Sequence, residues 1–485
     1  MRLYGLLAAL LISGLARADA VRWYVLEMQG QRAGWMVERE TVDGDTIVTT
    51  SESSLTIRRG ETAISISMGS EFIETRDGLP IEMTATANMG SAPSTDRYVF
   101  EDDGVIWTSS QQGKMVSKTL PLPEGRWLPP AAAGRYTAKR LEAGADEIVV
   151  RTIDPTNGLE PILTTRTGFS EVTIEVLGRS VKAMRCRSLS SLYPEAEGVE
   201  FIDRNGNLLR SELKLGAVTI TVIAADEELA KAELDPPELM RSMFIKPDRA
   251  IRDAYSKASG TFIVRATTGT LPELPSSGSQ AVEVIDNSTV RVRRVVSALG
   301  EPVLGTDVKL LTSPSAMLDS DDPRVVELTR SALLGGPDDQ MSRAEITRRF
   351  VHRYIRTKDL SVGFASAGET ARTREGDCTE HGVLLAAMLR ADGIPSRVVS
   401  GLIYAERFAG GRDIFGYHMW AQALIEIDGA LRWVDLDATL PDSTPMTATH
   451  IALGVHTLEG ASRANALVEL APMMGRLAIT VEKME

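Results

Sequence analysis

Cysteine is nearly missing from this 485-residue chain, which has two, Cys186 and Cys378. At most one disulfide is possible, and a zinc site built on several thiolates is excluded by count. Positive charge is also in deficit. The formal net charge of −13 argues against nucleic acid and against docking on anionic lipid. Beyond residue 20 no segment is long and apolar enough to cross a bilayer, and neither an internal repeat nor a low-complexity tract is evident. What is abundant is core-forming material. Hydrophobic residues make up 43% of the chain, and the length suggests about three domains at ~150 residues each.

Met1–Ala20 carries Arg2, an apolar run from Leu3 to Leu11 and a small-x-small Ala18-Asp19-Ala20. This is the pattern of an export signal; the run is too short for a membrane span. We therefore expect an exported protein, periplasmic or secreted. No cysteine near the cleavage site offers a lipid anchor. In an oxidising compartment the two cysteines could pair. Cys186 follows a strand-like stretch in another domain, where a lone cysteine acts as a small buried hydrophobe, so two free thiols are expected.

Residues 21–235 read as an antiparallel β domain. Ile64, Ile66 and Met68 alternate with Ser65 and Ser67, as do Val172, Ile174 and Val176 with Thr173 and Glu175. Asp43-Gly44, Asp77-Gly78 and Asn205-Gly206 supply turns between strands, and Leu122–Pro130 reads as a rigid crossing. Residues 236–318 read as a smaller β module, with Arg291, Arg293 and Arg294 on a solvated strand face. Helices resume at Asp321-Asp322-Pro323, so that residues 319–485 form an α+β core with a C-terminal extension.

Within that core, Arg374–Ala391 is the stretch richest in chemistry. Asp377 is a good N-cap, Glu380 completes a capping box, and Val383, Leu384, Ala387 and Met388 recur at helical spacing. Gly393 and Pro395 end the helix. Cys378 falls at the first helical position, where free N–H groups and the helix dipole favour a thiolate. His381, one turn on, could form a Cys-x-x-His metal pair, but no further ligands match it; packing beside the site is the simpler role.

Two strands follow. One carries His418 near its start, and the other, Leu431–Thr439, ends in Asp435 and Asp437; Asp428-Gly429 is the hairpin between them. Neighbouring strands can hold an imidazole and a carboxylate within hydrogen-bond reach, the acid fixing the tautomer and the imidazole ionising the thiol. Gly376-Asp377-Cys378, the Gly393–Val399 segment, His418-Met419-Trp420 and Asp437-Ala438-Thr439 together resemble the core of the transglutaminase-like superfamily over roughly residues 320–465.

The resemblance implies a papain-like Cys-His-Asp core with Cys378, His418 and Asp437 catalytic, since the family places the acid just before Ala/Pro-Thr. It leaves Asp435, Trp420 and His381 as supporting groups, Trp420 as a cleft wall. Such a triad would attack an amide through a thioester, needing no cofactor and no metal. Water as acceptor makes a peptidase or amidase, the reading favoured here because the core is small and has no calcium-site pattern. A lysine amine would make a cross-linking acyltransferase, and a non-catalytic binding or assembly scaffold is the alternative from another class. The implied partner is a protein or peptide substrate.

Overall fold

The computed structural model describes residues 20–60, 62–88, 93–111, 114–194, 196–216, 218–303, 305, 308–358, 365–444, 446–458 and 473–485. The export signal read over residues 1–20 lies outside these except for Ala20, where the first strand begins. No helix among the described residues is long and apolar enough to cross a membrane. The chain divides into two units, Met1–Arg58 with Ala63–Pro237 and Arg59–Thr62 with Glu238–Glu485.

The first unit is built on a 14-stranded antiparallel sheet. Eight strands run as a meander from Ala20–Met28 out to Lys114–Leu120, and six more occupy the other half, from Glu147–Thr152 to Val218–Ala225. The first and last of these strands join the halves, with Val25 opposite Ile223. The alternation that marks the strands in the sequence reappears as alternate burial; Ile64 is buried between exposed Ala63 and Ser65.

The segment read as a rigid crossing continues into a helix that alternation does not reveal, Pro130–Glu142. Its cap comes from a distant strand. The buried Glu74 carboxylate accepts the N–H groups of Ala131 and Ala132, each at 2.9 Å. Ala133 then packs with Ile148 and Val150. Cys186 lies in the strand Arg179–Ser190, fully buried and free, next to the internal ion pair of Arg166 and Glu200 at 2.7 Å. Burial pushes its thiol up to about 12.

The second unit is α+β, a layer of helices on a four-stranded sheet with a smaller β element. Helices Pro323–Leu333, Gln340–Tyr354 and Ala367–Thr373 pack on the helix Cys378–Ala391. That helix also packs against a four-stranded sheet, ordered Ala430–Leu436, Gly411–Ile427, Ser396–Phe408, Ile451–His456. With neighbours on all sides, Thr379 to Arg390 are buried without interruption, wider burial than the single apolar face that the spacing indicates.

The small β element does not close on its own. Its strands Gln280–Asp286, Thr289–Val295 and Ser259–Ala266 take a fourth from the C-terminal segment Leu477–Met484, Val264 lying opposite Ile479. Phe262 and Val292 share one core with Leu402, Phe415 and Ile451 of the larger element. A boundary at 318/319 therefore cuts through a continuous core. The basic run also divides: Arg291 faces outward to Glu283 and Glu482, but Arg294 is fully buried against Asp435 at 2.9 Å. Strand alternation puts Arg294 on the inner face with Val290 and Val292, where only a buried carboxylate can offset its charge.

Candidate active site

Cys378 opens its helix as expected. Asp377 Oδ1 accepts the N–H and hydroxyl of Thr379, both at 2.9 Å, and Glu380 Oε2 accepts the Asp377 N–H at 2.9 Å, completing the capping box. Asp377 Oδ2 pairs with Arg59 at 2.8 Å, from the short 59–62 segment grouped with this unit. Gly376 precedes the cap at φ 150°, and a Cβ there would stand 2.3 Å from that of Glu380. The tight turn lets Cys378 emerge half-buried at the helix start.

His418 sits in the middle of a 17-residue strand, Gly411–Ile427, rather than near the start of a short one. The hairpin at Asp428-Gly429 has φ 52° and 74°, as a type I′ turn requires. It fixes the register so that Gln422 opposes Asp435 and Ala421 opposes Leu436. The strand ends at Leu436, and Asp437 turns out of the ladder toward His418.

His418 Nε2 donates to Asp437 Oδ2 at 2.8 Å, and the ring lies close enough to Cys378 for each group to shift the other's proton affinity. Asp437 Oδ1 accepts the N–H and hydroxyl of Thr439 at 2.8 and 2.7 Å. The structure thus brings the thiol, the imidazole and the carboxylate into one neighbourhood.

Asp435 has a different neighbourhood. Its Oδ1 accepts from the Trp420 indole and the Gln422 amide, both at 2.9 Å; its Oδ2 accepts from Arg294 at 2.9 Å and from the Ser279 N–H and hydroxyl at 3.0 and 3.1 Å. Asp435 is a buried hub that ties Thr289–Val295 to the larger sheet. Trp420 is fully buried, so it forms a floor rather than an open cleft wall, nearly parallel to His418 at 6.1 Å. His381 is also buried, its Nδ1 2.6 Å from the Asp377 carbonyl, and burial lowers its pKa to about 4. It stays neutral and packs beside the helix start.

Electrostatics correct one expectation. Burial and the Asp377 carboxylate push the Cys378 thiol up, while His418 pulls the other way. The residue that caps the helix also sets a negative charge beside the sulfur, opposing the dipole. The imidazole decides the pair. Burial alone would lower its pKa, but the Asp437 carboxylate overrides this and carries it to about 10. Burial likewise works against ionisation of Asp437, yet His418 and then a second histidine hold it well below the usual carboxylate range.

That second histidine, His450, is the residue sequence reasoning missed. It is fully buried, with Nε2 3.0 Å from Asp437 Oδ2 and its ring edge-on to Trp420 at 5.1 Å. Nothing local marks it, because a single histidine 13 residues beyond Asp437 belongs to no motif. His418, Asp437 and His450 bring three possible metal-ligating atoms within 4.8 Å of one another. Hydrogen donors already occupy that space: Asp437 receives two on each oxygen, which fills the ordinary capacity of a carboxylate.

Residues 329–438 match the core of the transglutaminase-like superfamily. No curated protein matches the chain. The chain is also similar in part to solved structures. A β-barrel-like protein of a domain of unknown function from Brucella abortus is 12% identical, with 44% of this chain and 98% of that one covered and a TM-score of 0.35. A candidate cysteine protease from Cytophaga hutchinsonii is 15% identical over 47% of this chain and 85% of that one, TM-score 0.28. A candidate protease from Parabacteroides distasonis is 11% identical over 78% of this chain and 68% of that one, TM-score 0.21.

Proposed function

From the premise that residues 329–438 are a transglutaminase-like core, we propose that the protein is an exported thiol enzyme, periplasmic or secreted, that cleaves amide bonds of a protein or peptide substrate. The observation that carries this reading is one grouping: a half-buried Cys378 at a helix start, an imidazole near enough to shift the thiol's proton affinity, and a buried carboxylate 2.8 Å from Nε2 of that ring.

Cys378 gives its proton to His418, and the thiolate attacks the amide carbonyl, forming the S–C bond. N–H groups in the first turn of the helix, that of Cys378 among them, are suited to receive the developing oxyanion. The C–N bond then breaks as His418 protonates the departing amine, leaving a thioester. Water, deprotonated by His418, attacks the thioester; the acid leaves and the thiol is restored. Asp437 keeps the imidazole in the tautomer that faces sulfur and stabilises its charge.

The purified mature protein, treated with a limiting thiol-directed probe, should be labelled at Cys378 and not at Cys186. Labelling and hydrolysis of a peptide mixture should both be lost in Cys378→Ala. Peptide cleavage that survives this substitution would overturn the reading. Incorporation of an added primary amine at the expense of free acid would move it to acyl transfer.

A further inference from the structure

Asp437 serves two imidazoles. Oδ2 faces Nε2 of both His418, at 2.8 Å, and His450, at 3.0 Å. A triad has one imidazole per acid, so the second calls for an explanation at atomic level.

The protonation of His450 follows from its surroundings. The groups facing it are Asp437 and, more distantly, the His418 and Arg294 cations; burial lowers its pKa, with Asp437 opposing, so the ring is neutral. A neutral imidazole has one N–H. If that proton sat on Nδ1, the Nε2 lone pair would point at a carboxylate oxygen 3.0 Å away, inside the protein, where repulsion is weakly screened. The proton therefore sits on Nε2.

Thr447 fits this tautomer. Its hydroxyl lies 2.8 Å from His450 Nδ1 and can donate to the bare nitrogen, while accepting from the Thr449 N–H at 3.4 Å and hydroxyl at 2.9 Å. The carbonyl of Thr447, 3.3 Å from Nδ1, is the weaker partner the other tautomer would use. Thr447, Thr449 and His450 thus form a relay that ends in an N–H aimed at Asp437.

We propose that His450 is a positioning residue, a neutral Nε2–H donor that holds Asp437 Oδ2 where it grips His418 and takes up part of its charge. This rests on the reading of His418 and Asp437 as acid–base partners of Cys378. Thr439 fixes Oδ1 and His450 fixes Oδ2, so the carboxylate cannot rotate away when the imidazole turns toward sulfur or substrate. Because Oδ2 is shared, its hold on the imidazolium is weaker than an undivided carboxylate would give. The shared acid tempers the basicity of His418 so that it can return its proton to the leaving amine.

The test uses the full chain and two readouts that need no substrate. With histidine nitrogens labelled, NMR resolves the tautomers of the five rings, and the alkylation rate of Cys378 against pH reports the thiolate–imidazolium pair. We expect His450 as the Nε2–H tautomer. In His450→Phe the alkaline limb of the alkylation profile should move to higher pH, and turnover should fall about tenfold or more with KM little changed. His450→Gln, whose amide can donate to Asp437, should recover much of both. Should the Phe variant fail to fold, Thr447→Val keeps the imidazole and its Nε2–H bond to Asp437 but removes the donor to Nδ1, and should move the alkaline limb in the same direction by less; no movement in the folded Val variant would overturn the proposal.

A wild-type Nδ1–H tautomer would overturn the proposal. So would a folded Phe variant whose alkylation profile and His418 resonances match wild type. Failure of the thiol-enzyme reading shows differently, as amide cleavage that survives Cys378→Ala whatever the state of His450.

Discussion

The side chains of Asp435 and Asp437 are both buried, two positions apart, and surrounded by different chemistry. Asp437 meets two imidazoles and Asp435 meets a guanidinium. Their substitutions should therefore fail in different ways. Asp437→Asn should fold and lose turnover by about 10³-fold or more, because an amide at the imidazole can reverse the tautomer. Asp435→Asn should cost about 3–5 kcal/mol of stability, since it leaves Arg294 buried without its counter-charge, and Arg294 Nε and Nη1 have no hydrogen-bond partner of their own. Denaturant midpoints and specific activity, measured on both variants, separate the two. A stable, inactive Asp435→Asn beside an active Asp437→Asn would exchange the assignments.

At the scale of elements, the site depends on strands that approach unusually closely. Gly401 lies opposite His418 on the neighbouring strand, and a Cβ on it would stand 2.2 Å from the Ile451 carbonyl and 2.7 Å from the Trp420 ring. Trp420 lies flat under His418 only because that position has no side chain. Gly401→Ala should therefore displace the Trp420 floor or part the strands Ser396–Phe408 and Ile451–His456, at a cost of about 1–3 kcal/mol. A lowered Tm together with altered tryptophan fluorescence is the expected result; an unchanged Tm would mean that the sheet absorbs the methyl group elsewhere. The helix Cys378–Ala391 was legible because capping boxes and Gly-Pro stops are local, whereas the helix Pro130–Glu142 was not, because its cap is Glu74, more than fifty residues away.

For the molecule as a whole, the buried site makes stability depend on pH. The His418 pKa is raised to about 10 from 6.5, so its contribution is fully present below 6.5 and lost as pH rises through about 10. The Asp437 pKa is lowered, so its contribution is present above about 4 and lost only as pH falls through the lower folded value. Between pH 6.5 and 10 the histidine therefore adds to the loss of stability as pH rises. The unfolding temperature of the wild type should fall more steeply over that interval than that of His418→Gln, followed by calorimetry. Equal slopes would show that His418 gains no proton affinity on folding.

Features that depend on neighbours in the chain were legible before any fold was known. Alternation along Ile64–Met68 marked strands, Asp377 and Glu380 marked the helix start at Cys378, and Asp428-Gly429 marked the hairpin that sets Gln422 opposite Asp435. These signals are local because hydrogen bonds of caps and tight turns close within a few residues. The ordered Cys378, His418 and Asp437 also stood out, since their flanking residues resemble a superfamily core. The remainder came from packing between distant segments. It buried Arg294 on Asp435, returned Leu477–Met484 to the small sheet, and set Asp377 against ionisation of the thiol it caps. It also brought His450 to the same oxygen as His418. Each of these joins residues from separate elements, and burial, which depends on the packing of all of them, sets the sign and strength of the charge interactions that result.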